Sequence, residues 1–182
     1  LKIVKQSGDA LLTLLNDVLD LSKIEAGKME LESIPFNLPQ VVGDATRLIS
    51  ANAFKKGLEL IVRIAPDTPA EVIGDPNRLR QIVVNLVGNA VKFTERGEIV
   101  VNVEAGTTEA GKPALHFSVK DTGIGIPADK QAAVFEAFQQ SDTSTTRKYG
   151  GTGLGLSISV QFVKLMEGRI WLESVEGEGT TF

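Results

Sequence analysis

The sequence predicts an α+β fold, a two-layer sandwich in which a mixed sheet carries helices on one face, preceded by a long N-terminal helix. Three observations carry the prediction. Residues 75–94, DPNRLRQIVVNLVGNAVKFT, repeat with a helical period: at roughly 100° of turn per residue, Leu79, Val83, Leu86, Val87 and Ala90 fall on one face. Arg78, Gln81, Asn85, Asn89 and Lys92 form a stripe on the other. Residues 115–120 alternate instead, Leu115, Phe117 and Val119 against His116, Ser118 and Lys120, as in a half-buried strand. Helical and strand-like segments also interleave without strict strand–helix–strand order, which suits a mixed sheet.

Residues 1–32 read as one helix, with Leu1, Val4, Leu11, Leu15 and Val18 widened by Leu12, Leu14, Leu19 and Leu21 into a stripe broad enough for a helical bundle. Residues 33–37 read as a linker, with Pro35 inside it and Pro39 just beyond. A second helix is expected from Leu38 to Lys56, with Val41, Val42, Ala45, Leu48, Ile49 and Ala53 at helical spacing and Gly57 as its stop. Strands are expected at 58–64, 71–73 and 98–104, the last forming a hairpin through the loop 105–113 to Lys120. Beyond the glycines at 150–155 a helix should run to about Met166, capped by Gly168, and 169–175 should return as a strand. GTTF opens a last strand, cut by the end of the chain. The expected domains are 1–32, the linker 33–37, and 38–182.

At 182 residues, 42% hydrophobic and mean hydropathy +0.06, the chain can bury one substantial core. A net charge of −4 and a pI near 5.1 argue against nucleic acid as a partner, because a phosphate backbone is met by a basic surface. The absence of cysteine excludes disulfides and thiolate metal sites. No apolar run reaches the roughly 18 residues of a membrane span, and no signal peptide opens the chain. A cytoplasmic domain without membrane contact is therefore expected.

The polar stripe of the 75–94 helix is costly for a merely solvated face, because asparagine is a mediocre helix former and recurs there at i and i+4. Amide oxygens suit a hard cation such as Mg²⁺, and Lys92, one turn on, can meet phosphate as a point charge. Asp121 follows an alternating strand and is trailed by Gly123 and Gly125, which let backbone approach a ligand closely. Gly150, Gly151, Gly153 and Gly155 precede a helical run, so backbone N–H groups and the positive end of a helix dipole can face an anion. The residues thus point to a metal–phosphate site. A P-loop is excluded, since G-x-x-x-x-G-K-[ST] does not occur, and glycines at alternate positions do not make a dinucleotide fingerprint.

In this order the blocks NLVGNAVKF, DTGIGI, FEAF, GGTGLGLS and GEGTTF resemble the ATP-binding catalytic region of sensor histidine kinases of hybrid type, within the GHKL ATPase superfamily. The resemblance covers about residues 38–182. Residues 1–32 look like the second helix of that family's dimerisation hairpin, without the first helix and its phosphoaccepting histidine. The sole histidine, His116, lies in a strand.

The resemblance implies that Asp121 accepts a hydrogen bond from the adenine 6-amino group, supported by Thr180. It implies Mg²⁺ bound by Asn89 with Asn85 as second ligand or water-positioning residue, phosphate met by Lys92, and Phe93 either beside adenine or in the core. Gly123, Gly125, Gly151, Gly153 and Gly155 would bring backbone against base and phosphates, and Ile126, Phe138, Thr152, Leu154 and Leu156 complete the nucleotide-binding set. Residues 128–149 look like an ATP lid, from which either Arg147 or Lys148 would offset charge on the transferred phosphoryl group. With Asn85 and Lys92 these make the catalytic set. Asparagine at 85 replaces the glutamate of relatives that hydrolyse ATP, which favours transfer to another acceptor.

The implied function is ATP-dependent phosphorylation of a histidine outside this chain, relayed to a response regulator or receiver domain. The parent would be a homodimer, anchored in the inner membrane. The alternative is a kinase-like interaction module that binds nucleotide poorly and regulates another kinase through its helix.

Overall fold

The computed structural model describes residues 2–108, 110–135 and 153–182. The chain divides into two compact units, residues 1–31 with 133–169, and residues 32–132 with 170–182.

In the first unit, helix α1 (Lys2–Glu25) is shorter than the expected 1–32. It stops because Gly27 takes φ +64°, and the N–H groups of Gly27 and Lys28 turn back to the carbonyls of Ile24 and Lys23, both at 2.9 Å. That bond pair closes a Schellman cap, which suits glycine at the left-handed position. Leu11, Leu12, Leu14, Leu15, Val18 and Leu19 stay exposed along α1. Asp17 is buried there, and burial, reinforced by the nearby Asp20, pushes its carboxyl above the ordinary range.

The same unit holds the short 3-10 turn Ala133–Phe135 and, beyond it, a helix at Gly155–Leu165 that we label α4. Leu154, Ile158 and Phe162 are fully buried there. The end of α4 differs from expectation. Glu167, not Gly168, occupies the left-handed position at φ +58°, and Gly168 follows it with an N–H bond to the Val163 carbonyl at 2.8 Å. A β-carbon on Gly168 would stand 3.1 Å from Val163 Cγ1, a contact tight enough that Val163 would have to shift by a few tenths of an ångström.

The second unit begins with a correction to the expected linker. Residues Ile34–Asn37 form strand β1, antiparallel to β3 (Glu71–Gly74), as a separate two-stranded sheet. Pro35 is tolerated because this sheet has only edge strands, where a missing N–H can be accommodated. Asn37 then caps helix α2 (Leu38–Lys55), its side chain accepting the Gln40 N–H at 2.9 Å.

Strands β2 (Glu59–Ile64), β4 (Glu98–Thr107), β5 (Pro113–Asp121), β6 (Glu173–Val175) and β7 (Gly179–Thr181) form a sheet in the order β2-β4-β5-β7-β6. The β2–β4 pair is parallel and the others antiparallel, giving the expected mixed sheet. β6 is shorter than the predicted 169–175, since residues 169–172 have no ladder partner in β7. Helix α3 (Pro76–Phe93) packs with α2, and both touch the sheet.

Ile82, Val83, Leu86, Val87, Ala90 and Val91 of α3 are buried, as are Ile99, Val101 and Val103 of β4 and Val119 of β5. Each such valine, leucine or isoleucine side chain stabilises the fold by about 1.5–3 kcal/mol through removal from water. In the β4–β5 register Val101 faces Val119 and Ile99 faces Asp121. Side chains of paired residues share a sheet face, so Asp121 continues the core row in which Val119 stands. A carboxylate occupies a hydrophobe's position.

Candidate nucleotide-binding site

Helix α3 is set at both ends. Asp75 is buried at its N-terminus, with Oδ1 accepting the N–H groups of Asn77 and Arg78, each at 3.0 Å, and Oδ2 accepting the Glu32 N–H at 3.1 Å. At the C-terminus each orphan carbonyl finds a donor. The Ala90 carbonyl accepts Thr94 N–H at 3.0 Å, and the Phe93 carbonyl accepts Ile124 N–H at 3.3 Å. The Lys56 ammonium donates to the carbonyls of Val91, Lys92 and Thr94 at 2.6, 3.0 and 3.2 Å. Asn85, Asn89 and Lys92 are half-buried on successive turns between these ends. Burial pushes the Lys92 ammonium below its ordinary pKa, and its Nζ lies 4.7 Å from the centroid of the half-buried Phe93 ring.

Asp121 stands where β5 runs into the glycine loop. Its Oδ1 accepts the Gly123 N–H at 2.8 Å, and the Thr180 N–H also supports the carboxylate. Burial dominates and pushes its pKa up; those two bonds oppose the rise without cancelling it. Two positions of the loop admit only glycine. A β-carbon on Gly123 would lie 2.6 Å from the Phe93 carbonyl oxygen, and one on Gly125, at φ +66°, would lie 2.0 Å from the Val175 carbonyl oxygen.

Two residues that sequence reasoning missed hold this loop. Ser174 Oγ accepts the Ile126 N–H at 2.8 Å and donates to the Gly179 carbonyl at 2.9 Å, leaving the Thr180 hydroxyl, 2.9 Å away, to donate to it. Gln131 Nε2 bridges the carbonyls of Ile126 and Ser174 at 2.9 and 3.0 Å. Across the sheet, Asp121 pairs with Thr180 and Thr180 with Ser174, so three polar side chains share one row. The alternation of 169–175 gave no hint that its serine would be structural. Lys56 was equally illegible, a lysine beside a helix-ending glycine with nothing to name its partners. Thr94 Oγ1 is buried without a hydrogen-bond partner among the described residues, and nothing in the structure explains it.

The structure brings Phe93, Asp121, Gly123, Gly125, Ile126 and Thr180 together through these bonds. Gly153, Leu154, Gly155 and Leu156 belong to the other unit, where Gly153 has φ +72° and no side chain among the described residues caps the start of α4. Phe138, Arg147, Lys148, Gly151 and Thr152 lie outside the described residues. His116 is committed elsewhere. Its ring stacks on Trp171 with centroids 5.6 Å apart, and its Nδ1 is 2.8 Å from Glu104 Oε1.

A mixed sheet with α3 laid on it, a carboxylate in the core row and a glycine-containing loop beside it define an α+β ATPase-like domain. The chain belongs to the histidine kinase-, DNA gyrase B- and HSP90-like ATPase family, whose profile matches residues 74–182. It is 47% identical over 182 residues to the signal transduction histidine-protein kinase BarA of Escherichia coli K12, and 45% identical over 179 residues to the sensor histidine kinase GacS of Pseudomonas protegens. These alignments cover 100% and 98% of this chain but 20% of each relative, so the chain spans about a fifth of their length. Among solved structures, full-length ShkA in complex with AMPPNP matches with a TM-score of 0.84 at 36% identity, covering 100% of this chain and 36% of that one.

Proposed function

We propose that this chain is the nucleotide-binding catalytic domain of a sensor histidine kinase, binding Mg²⁺–ATP and passing the γ-phosphoryl group to a histidine on a dimerisation helix. The observation that carries this reading is the Asp121 carboxylate, buried in a core row yet bonded to only two backbone N–H groups among the described contacts. A carboxylate has about four lone-pair sites, so acceptor capacity remains for an amino group such as that of adenine. The naming of BarA and GacS as histidine kinases, and the AMPPNP held by ShkA, support the same reading.

The residues fit the nucleotide. Glycines that would otherwise place β-carbons on Phe93, Asp121 and Val175 leave a loop whose backbone can lie against a base. Asn85 and Asn89, half-buried one turn apart, offer the neutral oxygens a Mg²⁺ ion accepts. Bound there, the ion would supply charge neutralisation on the phosphates. Lys92 is poised for the same task, since a phosphate restores the charge partner that burial withholds. In the transfer, the acceptor histidine nitrogen forms a bond to the γ-phosphorus as the bond to the bridging oxygen breaks, and ADP leaves. Asn85 offers no general base for water, which supports transfer over hydrolysis.

His116 is held by Trp171 and Glu104, which supports an acceptor outside this chain. We assign residues 1–32 to a dimerisation hairpin of a homodimeric parent and 38–182 to the catalytic domain. A response regulator is the downstream partner and the cytoplasm, where ATP is available, the compartment. Among the described residues no helix is long and apolar enough to cross a membrane. Calorimetric titration with Mg²⁺–ATP tests the proposal: saturable binding is expected, and no heat at millimolar nucleotide would leave the domain as an interaction module.

A further inference from the structure

We infer that Lys56 is a positioning residue for the nucleotide site, acting through the backbone of α3 without touching the ligand. The inference rests on the proposed nucleotide site. Lys56 stands at the C-terminal end of α2, at the cap position, followed by Gly57 at φ +71°. From there its ammonium reaches a different helix and donates to three carbonyls at the end of α3, those of residues 91, 92 and 94. The carbonyl it leaves, that of Phe93, is taken by the Ile124 N–H of the glycine loop. Lys56 and the loop therefore divide the last carbonyls of α3 between them.

The chemistry suits lysine. An ammonium is compact and carries three donors, matching three convergent acceptors, and its charge lies at the negative ends of two helix dipoles. Arginine's planar fork would reach fewer of them. The consequence falls on Lys92 and Phe93, whose peptide units lie between the carbonyls that Lys56 grips. Gly123 packs so closely on the Phe93 carbonyl that no β-carbon fits, so a shift of the helix end is transmitted to the loop. Losing the ammonium would let the last turn of α3 fray, moving Lys92 and loosening the anchor of Ile124. Lys56 is exposed as a residue, so it can be replaced without opening the core.

The test compares Lys56→Met, Lys56→Arg and the control Gly57→Ala. Gly57→Ala strains the same end of α2 but touches no α3 carbonyl. In Lys56→Met we expect affinity for Mg²⁺–ATP to fall about tenfold, with partial recovery in Lys56→Arg. Gly57→Ala should lower the unfolding midpoint and keep the affinity. Without nucleotide, amide exchange at Ile124 should accelerate in Lys56→Met and not in Gly57→Ala. That readout separates this inference from the proposed function: wild-type protein that binds no nucleotide sinks the function, while the Ile124 amide still reports the Lys56 coupling. Full affinity and unchanged Ile124 exchange in a folded Lys56→Met would overturn the inference. Failure of both Lys56 variants to fold would also overturn it, making the residue structural.

Discussion

Asp121 Oδ1 accepts the Gly123 N–H at 2.8 Å, and a β-carbon at position 123 would come to the same 2.8 Å from that oxygen. The carboxylate and the bare glycine therefore form one device, in which the backbone holds the acid and the missing side chain lets the Phe93 carbonyl pack against the same turn. The acid is kept in place at a cost, since burial raises its pKa above the ordinary 3.8.

For Asp121→Asn the expected outcome is weaker nucleotide binding without loss of fold. Removing a charge-assisted hydrogen bond of about 1.5–3 kcal/mol lowers affinity roughly tenfold to a hundredfold. Stability moves the other way. A raised folded pKa stabilises the protein below the unfolded value of 3.8, and that contribution is lost as pH rises through the folded value. Asparagine is neutral at every pH and carries no such penalty for charging a buried group. Urea unfolding at pH 7 should find the variant at least as stable, and calorimetry should find its ATP affinity reduced; normal affinity would remove Asp121 from the site.

Lys92→Met should separate phosphate from base recognition. Burial holds the Lys92 pKa below 10.5, so the ammonium destabilises the fold below the folded pKa, and this penalty disappears as pH rises to 10.5. The cation–π contact with Phe93, about 0.5–1 kcal/mol, partly offsets it at neutral pH. Affinity for ATP should fall by about tenfold or more through a lost charged hydrogen bond, while affinity for adenosine holds. Equal losses for both ligands would count against a phosphate role.

Asn89→Ala is expected to flatten the Mg²⁺ dependence of triphosphate binding. Its amide oxygen is a hard ligand and alanine has none. Titrations with ATP at fixed nucleotide and rising Mg²⁺ provide the measurement, and an unchanged Mg²⁺ curve would clear Asn89 of the metal.

Ser174→Ala strips the Ile126 N–H and the Gly179 carbonyl of their shared partner. Leaving buried groups unsatisfied costs about 1–3 kcal/mol each. Chemical denaturation should show that loss, with faster amide exchange at Ile126. An unaltered Ile126 amide would mean that Gln131 alone secures the loop.

Glu167→Gly should stabilise the protein by less than about 1 kcal/mol, because relief of the left-handed strain at φ +58°, roughly 1–2 kcal/mol, exceeds the added unfolded-chain entropy of about 0.4–1 kcal/mol. A lower unfolding midpoint would mean that this side chain contributes more than its strain removes.

Periodicity made most elements legible. The apolar face of α3 and the alternation of β5 follow from burial, which local spacing encodes, and Asn85, Asn89, Lys92, Asp121 and the glycines stood out because each breaks a local rule. Linker residues 33–37 misled because a proline-bearing segment pairs only once a distant partner arrives, and β1 finds β3 at Glu71–Gly74. Gly168 misled for a different reason: glycine marks a helix end but does not say which residue takes the left-handed position.

What the sequence alone determined is therefore local: helix and strand periods, breaker positions, and residue types suited to metal and phosphate. Tertiary structure decided which acceptors and donors meet. Lys56 reaches α3 across 35 or more residues of chain, and Ser174 reaches Ile126 across 48. Such pairings depend on the sheet order β2-β4-β5-β7-β6, which brings distant strands into register. No local pattern specifies the partner of a lone lysine or serine, because its hydrogen bond is satisfied equally well by water until burial removes the alternative.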